Sequence, residues 1–125
     1  MGIRSRTLCA LLLGAAFALA NSDLAFADSC YAARADRADG EKADAKNATL
    51  MKDAYRRAMQ DQSILEKATE GYVKSYYFAF RFVPFNKNKR SVHLDSLKNI
   101  SEAAYKKFPK NKEIAHIYAS TLSMW

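Results

Sequence analysis

The stretch Gly71-Tyr-Val-Lys-Ser-Tyr-Tyr-Phe-Ala-Phe-Arg-Phe-Val-Pro-Phe85 carries seven of the fourteen Phe and Tyr residues in a chain of 125. A segment so rich in rings buries a large area per residue wherever it docks, so the other apolar stripes of the chain are expected around it. With a helical period, Leu65, Ala68, Tyr72, Tyr76 and Phe80 form one stripe, and Phe78 and Phe82 lie on a different flank. With a period of two, Tyr76, Phe78, Phe80 and Phe82 alternate with Tyr77, Ala79, Arg81 and Val83, as in an aromatic strand. Helix is the preferred reading, because no partner strand is visible elsewhere and the helical stripe already runs in from Leu65.

Working outward, Ser63-Ile64-Leu65-Glu66 has the form of a capping box ahead of that stripe, which sets a helix over 64–82 closed by Pro84. Upstream, Leu50 and Met51, Ala54 and Tyr55, and Ala58 and Met59 recur at three- and four-residue steps, giving a helix over 48–61 that Asn47 or Thr49 can cap. A single bent helix across both spans is the rival reading. Downstream, 86–90 reads as a polar loop. A third helix follows over 92–107, capped by Ser91 and carrying Leu94, Leu97, Ile100 and Ala104, with Phe108 in register and Lys106 and Lys107 in the last turn. Asn111 is the cap of a fourth helix, 112–124, with Ile114, Ile117, Tyr118, Leu122 and Trp125 on one side. The fold class is therefore all-α, with four helices as two packed helical hairpins.

The beginning of the chain has another character. Arg4 and Arg6 precede an apolar and small-residue run from Thr7 to Ala20, and Ala25-Phe26-Ala27 stands before Asp28. This is the layout of an export signal, with cleavage expected after Ala27 and an earlier cut after Ala20 as the alternative. The division expected is a signal peptide over 1–27, a polar flexible leader over 28–47, and one helical domain over 48–125. The leader is almost all Ala, Asp, Arg, Lys and Glu, with too little to bury to offset ordering entropy. Of two cysteines only Cys30 follows the cut, so no internal disulfide forms in the processed chain; in an oxidising compartment Cys30 is open to pairing with another chain.

Ala104-Tyr-Lys-Lys-Phe-Pro-Lys-Asn-Lys-Glu-Ile-Ala-His-Ile-Tyr-Ala119 resembles the junction between tetratricopeptide repeats. Ala104, Pro109, Asn111 and Ala119 stand where that family has a small residue, a Pro, an Asn and the small residue of the next helix. The resemblance, over 104–119 only, implies helical-hairpin architecture and a groove that binds a protein segment. It assigns no groove residues.

Chemistry is harder to place. After the signal only Gly40 and Gly71 remain, so no Gly-rich loop can cradle a phosphate. No nucleophile elbow is present, and Cys30 has no His near it in sequence. Glu113 and His116 make one Glu-x-x-His pair, where a di-iron bundle needs two and further carboxylates; His93 reads as a surface or cap-region residue. No cofactor, metal or catalytic set is expected. Asn47-Ala-Thr49 and Asn99-Ile-Ser101 are glycosylation triplets, of consequence only in a source that glycosylates exported proteins.

Charge is the strongest remaining signal. Residues 28–125 hold eighteen Lys and Arg against twelve Asp and Glu, a net +6, and 74–112 alone holds ten against two, a net +8. Arg81, Lys87, Lys89, Arg90, Lys106, Lys107, Lys110 and Lys112 are the candidate residues for an anionic partner. With the interleaved rings they suit an anionic lipid surface or a polyanion; export disfavours nucleic acid. The expectation is an exported protein, periplasmic or secreted, that is not an enzyme and works by contact with another protein. The alternative is contact with an anionic surface.

Overall fold

The structure, a computed structural model, describes residues 20–31 and 41–125. The basic start, Cys9, most of the apolar run and residues 32–40 lie outside the described residues. Helix α1 comprises residues 20–31, α2 Glu41–Ala58, α3 Leu65–Phe82, α4 Lys87–Lys107 and α5 Lys112–Met124, with a 3-10 turn, Gln62–Ile64, before α3. No strand occurs among the described residues, and the alternating rings from Tyr76 to Phe82 are helical.

Helix α3 lies between two cores. Phe78 and Ala79 join Leu24, Ala27 and Cys30 of α1 and Ala48, Met51, Ala54 and Tyr55 of α2. Val73 and Phe80 join Leu97, Ala104, Ile114 and Ile117 of α4 and α5. An element apolar nearly all round needs cover on more than one side, and these two clusters supply it. Tyr76 and Tyr77 are half-buried at the margin of the second core.

The helices alternate in direction. Tyr55 meets Gly71 near the α2–α3 turn, Tyr76 meets His93 across α3 and α4, and Glu102 meets Tyr118 across α4 and α5. Each pair sits at matching distances from the intervening turn, as antiparallel neighbours require.

The described residues hold five helices where four were expected: α1 is the addition, and it carries helix to residue 31, into the span expected as a flexible leader, because Cys30 is buried in the first core. The boundaries differ from expectation in three further places. Helix α2 begins at Glu41, not 48, because Asp44 and Ala48 continue its buried face back along the core; it ends at Ala58. The capping box at Ser63 does not form. Asp61 accepts hydrogen bonds from the Ser63 amide at 2.9 Å and the Ser63 hydroxyl at 2.7 Å, and so caps the 3-10 turn instead. Helix α4 begins at Lys87, not 92, because Asn86, held extended after Pro84-Phe85, caps it by accepting from the Lys89 amide at 2.8 Å. Residues 87–90 are therefore helix and not loop. Asn111 caps α5 as expected, accepting from the Ile114 amide at 3.0 Å.

At the end of the chain the apolar face is rotated from the one expected. Ile114, Ile117 and Thr121 are buried, whereas Leu122 and Trp125 are exposed. The Trp125 indole Nε1 donates to Asp95 at 2.7 Å and the Lys98 ammonium lies 4.7 Å from its ring, so the indole lies across α4 without entering the core.

Candidate functional site

Pro84 creates the most distinctive surface. A helix continuing past Phe82 would bond the Phe80 carbonyl to the amide of residue 84, and Pro84 has none. Arg90 fills the place: its Nη1 donates to the Phe80 carbonyl at 2.9 Å while its guanidinium lies 4.0 Å from the Phe80 ring centroid. Beyond Pro84 the chain turns back through a bond from the Phe85 amide to the Val83 carbonyl at 3.0 Å. Phe85 thereby stands over α4.

There it meets His93. The His93 ring is stacked between Phe85, 4.8 Å away between centroids, and Tyr76, 5.3 Å away. Its Nε2 lies 2.8 Å from the Tyr76 carbonyl; a carbonyl only accepts, so Nε2 carries the hydrogen and Nδ1 is the acceptor of the neutral ring. Burial lowers the His93 pKa, and the charges of Lys52 and Arg90 push the same way. The Tyr76 hydroxyl moves upward to about 12, through burial first and then its bond to the Tyr72 hydroxyl. Both rings are neutral at physiological pH.

Two recesses flank the stack. One, of about 290 Å³, opens between α2 and α3, with Ala45, Thr49 and Lys52 on its α2 wall. The other, of about 480 Å³, opens toward Lys89, Val92 and Ser96 of α4. Lys52, Tyr76, Phe85 and His93 line both. The Lys52 ammonium lies 5.9 Å from the Tyr76 ring centroid. The result is an aromatic floor with lysines at its rim, suited to an apolar or planar group held beside a carboxylate.

The residues singled out by charge do not gather in one place. Arg81, Lys87, Lys89 and Arg90 lie where α3 ends and α4 begins, and Lys106, Lys107, Lys110 and Lys112 lie where α4 ends and α5 begins. Helix α4 separates them by about 30 Å, from 1.5 Å of rise per residue. All eight are exposed, Lys106 within 3.8 Å of Glu102 and Arg81 over the rings of Tyr77 and Phe82. Cys30 is buried against α2 and α3, and burial raises its thiol pKa. Glu113 and His116 are exposed on α5.

Among the described residues no group of three or more His, Cys, Asp or Glu could hold a metal, and no helix is long and apolar enough to cross a membrane. Comparison with protein-family models, curated proteins and solved structures finds no match. Lys52, Tyr76 and Phe85 were not candidates on sequence grounds. Only Pro84, which forces the reversal that brings Phe85 onto His93, hints at them.

Proposed function

We propose that this chain is an exported helical module that acts without catalysis by binding another protein. The recess between Lys52 and Lys89 takes an acidic, apolar-tipped segment of that partner. The observation that carries the reading is the Tyr76–His93–Phe85 stack, open on two sides and rimmed by lysines. Stacked rings give a rigid apolar surface at low entropy cost, and rim lysines choose a partner by charge. Export rests on the signal layout of 1–27, and a pair of helical hairpins like those of tetratricopeptide proteins suits segment binding. A role in envelope or secretion assembly, or in toxin neutralisation, fits the same features.

A photo-reactive residue at position 92, beside the larger recess, is the test. Illumination in cells should trap one protein at position 92 and none at position 116, on the exposed face of α5. Equal capture at both positions, or none at either, contradicts the proposal.

The second reading, binding to an anionic membrane surface or polyanion, draws on the exposed Arg81, Lys87 and Lys89 where α3 ends and α4 begins, and on Val92 of α4, which is 65% exposed. It predicts binding that weakens steeply as salt rises.

A further inference from the structure

We propose that the groove between α2 and α3 filled by residues 20–31 becomes, once the chain is cut after Ala27, the docking site of a helix from a partner protein. The inference rests on the export reading but concerns a surface away from the His93 recess. Helix α1 is seated as a ligand would be. Ala27 is fully buried, and Leu24 and Cys30 are buried with it against Met51, Ala54, Tyr55 and Phe78. Polar contacts fix its register: Arg57 pairs with Asp23 at 3.2 Å, and the Tyr55 hydroxyl donates to Asp28. Tyr31 closes the far end, its ring 5.7 Å from that of Phe78 and 5.2 Å from the Lys74 ammonium.

The cut expected after Ala27 falls inside this helix. It removes Asp23, Leu24 and Ala27, and of the seated segment leaves only residues 28–31. The floor it uncovers is apolar and bounded by a cation, the form of a helix-in-groove site. The displaced segment defines the occupant. It is a helix with small or aliphatic side chains three and four residues apart, as Ala20, Leu24 and Ala27 are, and a carboxylate just before the central one to meet Arg57.

The experiment uses the exported protein, its first residue determined by sequencing, and a fluorescein-labelled peptide of residues 20–31. Expected is an N-terminus at Asp28, saturable peptide binding by anisotropy, about tenfold loss on Leu24→Asp in the peptide, and about tenfold weaker binding to the uncut chain. A start at Asn21 overturns the inference, since α1 then stays in place, and leaves export standing. An uncut exported chain overturns the signal reading and the inference together. A chain starting at Asp28 that fails to fold, ignores the peptide, binds Leu24→Asp equally, or pairs with a second copy through this groove overturns the inference alone.

Discussion

Gly71 of α3 lies directly against the phenol ring of Tyr55, so close that a Cβ at position 71 would stand within the van der Waals envelope of the ring. Tyr55 is 2% exposed and its hydroxyl donates to Asp28, so it has little freedom to move aside. The glycine is what lets α2 and α3 approach this closely.

Gly71→Ala should therefore destabilise the fold, although alanine is the better helix former by about 1 kcal/mol. Overpacking of this kind costs about 1–3 kcal/mol. Urea unfolding should show the loss, and Tyr55→Leu, which clears the space, should make the second change much less harmful in a double-mutant cycle. Equal loss in both backgrounds would mean that the contact is not what limits position 71.

Arg90 answers a vacancy left by Pro84, and its planar fork serves both the Phe80 carbonyl and the Phe80 ring. Arg90→Ala should lower stability by about 1–2 kcal/mol. Arg90→Lys should recover less than half, since an ammonium on a flexible stem does not reproduce stacking and donation together. Thermal unfolding of the three proteins decides it.

His93 makes stability depend on pH. Its folded pKa is lowered from 6.5 by burial, with Lys52 on α2 and Arg90 on α4 opposing its charge and the Tyr76 carbonyl favouring it. The unfolded chain thus takes up a proton that the folded chain resists. This contribution is complete above about pH 6.5 and is lost as pH falls below it towards the lowered folded value. His93→Gln should flatten stability against pH across that window; a slope unchanged in the variant would assign the dependence to other groups.

The separation of the basic ends predicts independence. Lys87→Glu with Lys89→Glu, and Lys106→Glu with Lys107→Glu, should each lower the salt needed to elute the protein from an anionic resin. Their effects should add, because about 30 Å exceeds the Debye length of about 8 Å at physiological salt. A combined variant that falls well short of the sum would show that the two ends act as one surface.

What was legible in the sequence follows from how local each determinant is. The α3 span could be read to within a residue because an unbroken stripe from Leu65 meets Pro84, and Asn111 marked α5 because its side chain caps by a three-residue reach. The start of α2 at Glu41 was hidden, since an Ala-rich polar segment becomes helix through the burial of Asp44 and Ala48, which only the core reveals. Likewise, a period of four placed Leu122 inward, yet the face of α5 that packs holds Thr121, whose hydroxyl donates to the Ile117 carbonyl at 2.7 Å. The recess was invisible for a similar reason. Lys52, Tyr76, Phe85 and His93 come from three helices and one turn, and no spacing along the chain links them.

Recovery of a partner from the native compartment decides whether the recess binds a protein segment. The exported protein and its Lys52→Glu, Lys89→Glu variant, matched in helix content by circular dichroism, would be purified from their native compartment under identical salt. Expected is one protein held by the unaltered chain and at least about tenfold less of it on the variant. The same protein retained equally on both would contradict it.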